Sequence, residues 1–150
     1  ERPYTKRIGV SGDCQEFYIA SSGLLKVFAF SNSNPTRLLR SSETLSFIPD
    51  NLHMSDGGRL ITGGLEITDP DCGDVPMSLE FELEKFASCP RPFTILAVDP
   101  QSMQDSVIAS SPAHKHFSNI TMALEVGTEL WIGTFAGDRI AYRTLEQSND

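Results

Sequence analysis

A polar, glycine-bearing turn that leads at once into a β-branched or aromatic run occurs three times in this chain, and that repetition constrains the fold more than any other feature. The copies are Ser11-Gly12-Asp13-Cys14-Gln15-Glu16-Phe17-Tyr18-Ile19-Ala20-Ser21, then Ser55-Asp56-Gly57-Gly58-Arg59-Leu60-Ile61-Thr62-Gly63, then Glu125-Val126-Gly127-Thr128-Glu129-Leu130-Trp131-Ile132-Gly133-Thr134. Glycine supplies the positive-φ positions of a tight hairpin turn, and the residues that follow suit a half-buried pleated surface, so each copy is read as a hairpin. After the first come Leu25-Lys26-Val27-Phe28-Ala29-Phe30 and Thr36-Arg37-Leu38-Leu39-Arg40, separated by the turn-forming Ser31-Asn32-Ser33-Asn34-Pro35. The second continues with Phe93-Thr94-Ile95-Leu96-Ala97-Val98-Asp99 and Asp105-Ser106-Val107-Ile108-Ala109-Ser110, the third with Arg139-Ile140-Ala141-Tyr142-Arg143 alone.

Four strands per repeat at a spacing near the roughly 40 to 50 residues of a propeller unit predict an all-β chain of about three β-propeller blades. Each blade is expected to be a four-stranded antiparallel sheet, at roughly 1–45, 46–112 and 113–150, with the last lacking its outer strand. An insertion is expected at about 66–92, inside the middle blade. There Met77, Leu79, Phe81 and Leu83 alternate as a strand would, whereas Leu79, Leu83 and Phe86 also fit a helical face, and both readings stand. A blade buries its faces only against neighbouring blades, so three are expected to need a complementary half, a second copy, or the rest of a longer chain to close the ring.

With 20 acidic against 12 basic residues the formal charge is −8, and the cations are unclustered, which disfavours nucleic acid as a partner. No run approaches the roughly 18 apolar residues of a membrane-spanning helix, so no membrane association is expected. Cys14, Cys72 and Cys89 form no C-x-x-C pair of the kind that zinc sites use. Cys72 and Cys89 would close a loop of about 17 residues if bridged, worth roughly 3 kcal/mol in the loop-entropy picture; the other reading is two unpaired thiols near prolines. The chain opens at Glu1 without an apolar leader and is read as processed or trimmed, with a secreted or periplasmic setting favoured.

The candidate chemistry lies in Phe47-Ile48-Pro49-Asp50-Asn51-Leu52-His53-Met54, where a carboxylate and an amide stand at the head of a strand as a hard-metal site or as a turn cap. Strict alternation puts Asn51 and His53 on one face and Asp50 and Leu52 on the other, so Asp50 and Asn51 can share an ion only at an irregular strand entrance or a bulge. His53 is the candidate general base, histidine being the side chain whose ordinary titration lies nearest neutrality. Ser118 and Asn119 are candidate channel-facing polar residues. Asn119-Ile120-Thr121 is also a glycosylation acceptor sequence, although a glycan there would obstruct the channel. His114 and His116 have the spacing of two imidazoles on one strand face or of a polar loop. Trp131 is expected in the core between blades, and Glu80, Glu82 and Glu84 on a solvated face.

Ile8-Gly9-Val10-Ser11-Gly12-Asp13 through Tyr18-Ile19-Ala20, Pro49-Asp50-Asn51-Leu52, and Thr121-Met122-Ala123-Leu124-Glu125-Val126 to Trp131-Ile132-Gly133-Thr134 together resemble, in that order, the C-terminal half of the paraoxonase/arylesterase and gluconolactonase (regucalcin-like) superfamily. The resemblance implies a six-bladed propeller whose last blade takes its outer strand from the N-terminal end of the chain. It also implies a channel calcium that polarises the carbonyl of a lactone or ester substrate, with Asp50 and Asn51 as ligands and Asp50 also in a catalytic role. Two positions depart from the pattern: Lys6 stands where an asparagine ligand is expected, and no histidine stands near Leu65. These departures imply the alternative of a non-catalytic propeller that binds a small molecule or a protein.

Overall fold

The computed structural model describes residues 5–75 and 83–145. The alternating segments form strands β1 (Thr5–Val10), β2 (Glu16–Ser21), β3 (Lys26–Ser31) and β4 (Leu38–Ser41), joined in that order into an antiparallel sheet. The second sheet takes β5 (Phe47–Met54), β6 (Leu60–Glu66), β9 (Phe93–Val98) and β10 (Asp105–Ser111), again in chain order across the sheet. Between β6 and β9 lies the insertion, with a two-residue ladder of β7 (Thr68–Asp69) and β8 (Gly73–Asp74) and a short helix α1 (Leu83–Ser88). The third sheet has β11 (Ile120–Val126), β12 (Glu129–Thr134) and β13 (Ala141–Thr144).

The chain is thus all-β, built from antiparallel meanders stacked face to face as partial propeller blades. Leu83 and Phe86 belong to α1, so the helical face is what that part of the insertion adopts; Met77, Leu79, Phe81, Glu80 and Glu82 lie outside the described residues, and Glu84 is exposed. No helix among the described residues is long and apolar enough to cross a membrane.

The hairpin turns obey the expected backbone rule with one exchange. Gly58 and Gly127 take φ of 77° and 60°, but in the first turn the left-handed residue is Cys14 at 59°, not Gly12. Asp13 makes this possible: its carboxylate accepts from the Ser11 hydroxyl at 2.6 Å and from the Gln15 N–H at 3.0 Å, closing a turn that no longer depends on glycine.

Two seams hold the sheets together. Tyr18, Ala20, Val27 and Ala29 of the first sheet pack on Phe47, Leu52, Leu60, Leu96 and Val98 of the second. The opposite face of the second sheet, Ile61, Ile95 and Ala97, packs on Ile120, Ala123, Leu130 and Ile132 of the third. Burying each large aliphatic or aromatic side chain contributes roughly 1.5–3 kcal/mol, and β6, with both its faces covered, is buried at every residue from Leu60 to Leu65.

The outer sheets each leave one face uncovered by the described residues. Trp131 sits there, 37% exposed and stacked on Tyr142 with ring centroids 5.4 Å apart, on the face that a further blade would cover rather than in either of the two seams. Alternation along β12 is the reason: Leu130 and Ile132 fill the seam, so the residue between them faces the other way. On the first sheet the matching face carries Phe17, Phe28 and Phe30, with Phe17 and Phe30 stacked at 5.3 Å.

Candidate functional site

The innermost strands β1, β5 and β11 lie side by side, with β5 in the middle. Their heads share one end of the stack. Phe47 at the head of β5 pairs with Glu66, where the insertion begins; Thr5 at the head of β1 pairs with Ser21, whose neighbour Ser22 bonds the Pro49 carbonyl; and Asn119, just before β11, bonds the insertion.

Each of these strands is irregular near its head. In β5, Pro49 pairs with Gly64 and Leu52 with Thr62, so Asp50 and Asn51 occupy a stretch that only Gly63 opposes. This is a β-bulge, which breaks strict alternation and meets the backbone condition for two successive side chains to work together. The register also slips between Thr5 and Arg7, around Lys6, and between Ile120 and Met122, around Thr121.

The bulge in β5 is locked from two sides. A Cβ on Gly64 would lie 1.7 Å from the Ile48 carbonyl oxygen, so the two strands approach at a distance that only glycine permits. From the first blade, the Ser22 hydroxyl donates a buried 2.7 Å hydrogen bond to the Pro49 carbonyl. Pro49 itself has no N–H to lose from the ladder, which is why proline is tolerated at a bulge. Asp50, Asn51 and His53 are all half-buried on this strand. At about 3.3 Å per residue His53 stands roughly 7 Å along the strand from Asn51.

Asn119 has a different fate. It is 1% exposed, and its side-chain oxygen accepts from the Arg91 N–H at 3.0 Å while its amide nitrogen donates to the carbonyls of Ala87 at 3.2 Å and Cys89 at 3.0 Å. The acceptor sequence therefore carries an amide already used inside the protein, in a residue held at φ 53°. Ser118 is half-buried, and its carbonyl accepts from the Thr134 hydroxyl at 2.6 Å. His114 and His116 lie in the loop before β11 rather than on a strand.

The bonds of Asn119 belong to a clamp that ties the insertion to the seam between the second and third blades. Cys72 and Cys89 are bridged across 17 residues, the pairing that the loop length allowed, and Cys14 is a free, exposed thiol. Arg91, 2% exposed, donates from its guanidinium to the carbonyls of Ile67 at 3.3 Å and Cys72 at 3.1 Å and lies 5.7 Å over the Phe86 ring. Burial pushes its pKa down, against the attraction of Asp69 and Asp74. Phe86 in turn stacks on Phe135, just beyond β12, at 5.8 Å. Arg91 was legible only as the residue between two prolines in Cys89-Pro90-Arg91-Pro92, and Ser22 and Gly64 carried no local signal of their tasks.

The donors at the bulge suit a hard cation in kind, being a carboxylate and an amide oxygen, but they are too few. Calcium takes six to eight oxygens. Among the described residues no group of three or more His, Cys, Asp and Glu side chains could hold a metal ion. Asp50 and Asn51 would supply two oxygen donors to such a shell and do not complete one.

No protein-family model and no curated protein matches the chain. Among solved structures, a luciferin-regenerating enzyme aligns over 85% of this chain at 11% identity with a TM-score of 0.50. A Bacteroides fragilis protein proposed to be a 6-phosphogluconolactonase aligns over 87% at 12% identity with a TM-score of 0.47. The likeness is one of fold. The chain spans about a third of the length of these structures, 36% and 32% respectively.

Proposed function

We propose that this chain is part of a calcium-dependent propeller hydrolase of lactones or esters, with its channel site at the shared end of β1, β5 and β11. The observation that carries the reading is the bulge at Asp50 and Asn51, which breaks the innermost strand of the central blade at the residues that resemble the family's ligand pair. A calcium ion bound there would supply Lewis-acid polarisation of the substrate carbonyl. Asp50 and Asn51 would hold it by their side-chain oxygens, Ser22 and Gly64 would fix the bulge, and His53 would take a proton from a water placed between it and the ligand pair.

The uncovered faces carrying Phe17, Phe28 and Phe30 at one end of the stack and Trp131 and Tyr142 at the other would be closed by a complementary half or a second copy. One departure favours a second reading, a non-catalytic propeller that binds a small molecule or a protein: the irregular stretch of β1 holds Lys6, a cation where the family resemblance implies an oxygen ligand.

Calorimetric titration of Ca²⁺ into the chain and its Asp50→Ala variant, with the oligomeric state recorded by light scattering, separates the readings. Calcium binding that Asp50→Ala abolishes, accompanied by lactone or aryl-ester turnover sensitive to chelator, supports the hydrolase. A folded, closed assembly that binds no calcium and turns over neither substrate class overturns it in favour of the non-catalytic scaffold.

A further inference from the structure

The same end of the third blade holds a cleft of about 400 Å³, a volume within the range of small-molecule sites. One wall is the loop leading into β11, with Lys115, His116 and Ser118; the other is the loop leaving β12, with Gly137, Asp138 and Arg139. Both walls are anchored. The Thr134 hydroxyl donates to the Ser118 carbonyl at 2.6 Å and accepts from the Ala136 N–H at 3.2 Å, so one side chain sets the spacing between the two loops. A Cβ on Gly137 would lie 2.7 Å from Thr134 Cγ2, so the second wall closes on Thr134 as only glycine allows. Phe117, between His116 and Ser118, packs edge-on to Phe93 at 6.2 Å and ties the first wall to the core.

The charge in this cleft runs against that of the chain. Two cations, Lys115 and Arg139, share the cleft with a single carboxylate, Asp138, in a protein of net charge −8. Asp138 accepts from Arg139 Nε at 2.7 Å, and this bond orients the guanidinium while leaving its two terminal nitrogens for another acceptor. With both partners largely in solvent, the pair adds little stability, so its consequence is geometric. Arginine presents paired donors that match an oxyanion, and lysine adds a point charge beside them.

We propose that this cleft binds an oxyanion, a carboxylate or a phosphate, carried by a small molecule. The identity of that molecule as a lactone or ester substrate rests on the function proposed above; the anion site does not. The anionic group would be held between Arg139 and Lys115, with Ser118 and His116 as further hydrogen-bonding groups, which makes these residues determinants of specificity rather than of the chemical step.

The test begins with binding. Inorganic phosphate and gluconate, a sugar carboxylate, are titrated separately into the full chain and into Arg139→Gln, Lys115→Gln and, as a control cation on the first blade, Arg37→Gln. At least tenfold weaker binding of one anion in Arg139→Gln and Lys115→Gln, with Arg37→Gln unchanged, is expected, and the anion affected tells phosphate from carboxylate. Absence of binding of both anions to the wild type, or binding unaltered in the double variant Lys115→Gln/Arg139→Gln, overturns the proposal. A second arm compares hydrolysis of a lactone bearing that anion with an uncharged lactone: KM for the charged substrate is expected to rise at least tenfold in the variants with kcat unchanged. Equal effects on both substrates overturn the specificity role. Anion binding by a closed assembly that turns over no lactone would leave the cleft standing and remove the hydrolase.

Discussion

Asn51 and Asn119 are the same amino acid near the heads of adjacent inner strands, yet the protein uses them in opposite ways. Asn119 is buried and spends its whole amide on Arg91, Ala87 and Cys89. Asn51 is half-buried in a bulge braced through neighbouring backbone, by Ser22 and Gly64, rather than through its own side chain. The difference comes from the insertion, whose disulfide-bonded loop and helix deliver carbonyls to Asn119. A polar residue at a strand head is therefore available for ligand chemistry where other groups hold the backbone, and becomes structural where its side chain does the holding.

The largest effect is expected at the brace itself. Gly64→Ala should cost roughly 3 kcal/mol or more, since the new methyl collides with the Ile48 carbonyl, whereas Gly12→Ala, with nothing within 4 Å, should be nearly silent. Urea denaturation of both variants checks this, and similar midpoints would show that the strands relax around the bulge.

Asn119→Ala should cost about 3 kcal/mol, because it strands a buried N–H and two carbonyls and places alanine at a positive φ. Asn51→Ala should stay within about 1 kcal/mol while weakening calcium binding. Equal stability losses in the two variants would erase the contrast.

Ser22→Ala should cost about 1–2 kcal/mol, the expectation for leaving a buried carbonyl unbonded. If the bulge depends on that bond, the variant also weakens calcium binding severalfold; unchanged affinity by calorimetry would leave Gly64 as the sole brace.

The smallest effect lies away from both strand heads, in the seam of the first and second blades. The Tyr18 phenol is pushed up to about 12, first by burial and then by its hydrogen bond to Glu16. A raised folded-state value means that the unfolded chain loses this proton at lower pH than the native one. The contribution is thus fully present below about pH 10 and declines as the pH rises towards about 12. Denaturation across that window should show a slope that Tyr18→Phe removes, with neither strand head affected.

Much of this architecture was legible because it is local. Period-two alternation and turn-forming residues marked the hairpins, and the interrupted spacing after Glu66 marked the insertion. Within the site, Pro49-Asp50-Asn51 was legible as an irregular strand head, since proline and two turn-prone residues in succession disfavour a regular ladder. The use of Asn119 was not legible. An acceptor sequence says nothing of the carbonyls of residues about 30 positions away.

The sequence by itself determined that the chain forms repeated antiparallel hairpins, because alternation and backbone preference act within a few residues. Only the tertiary structure decided which polar groups are spent and which remain, because those outcomes depend on partners distant in the chain. Ser22 reaches Pro49, Arg91 reaches Asn119, and the loops around Lys115 and Arg139 become a cleft only when the third blade folds them against each other. No local preference encodes such meetings; they follow from the way the blades stack.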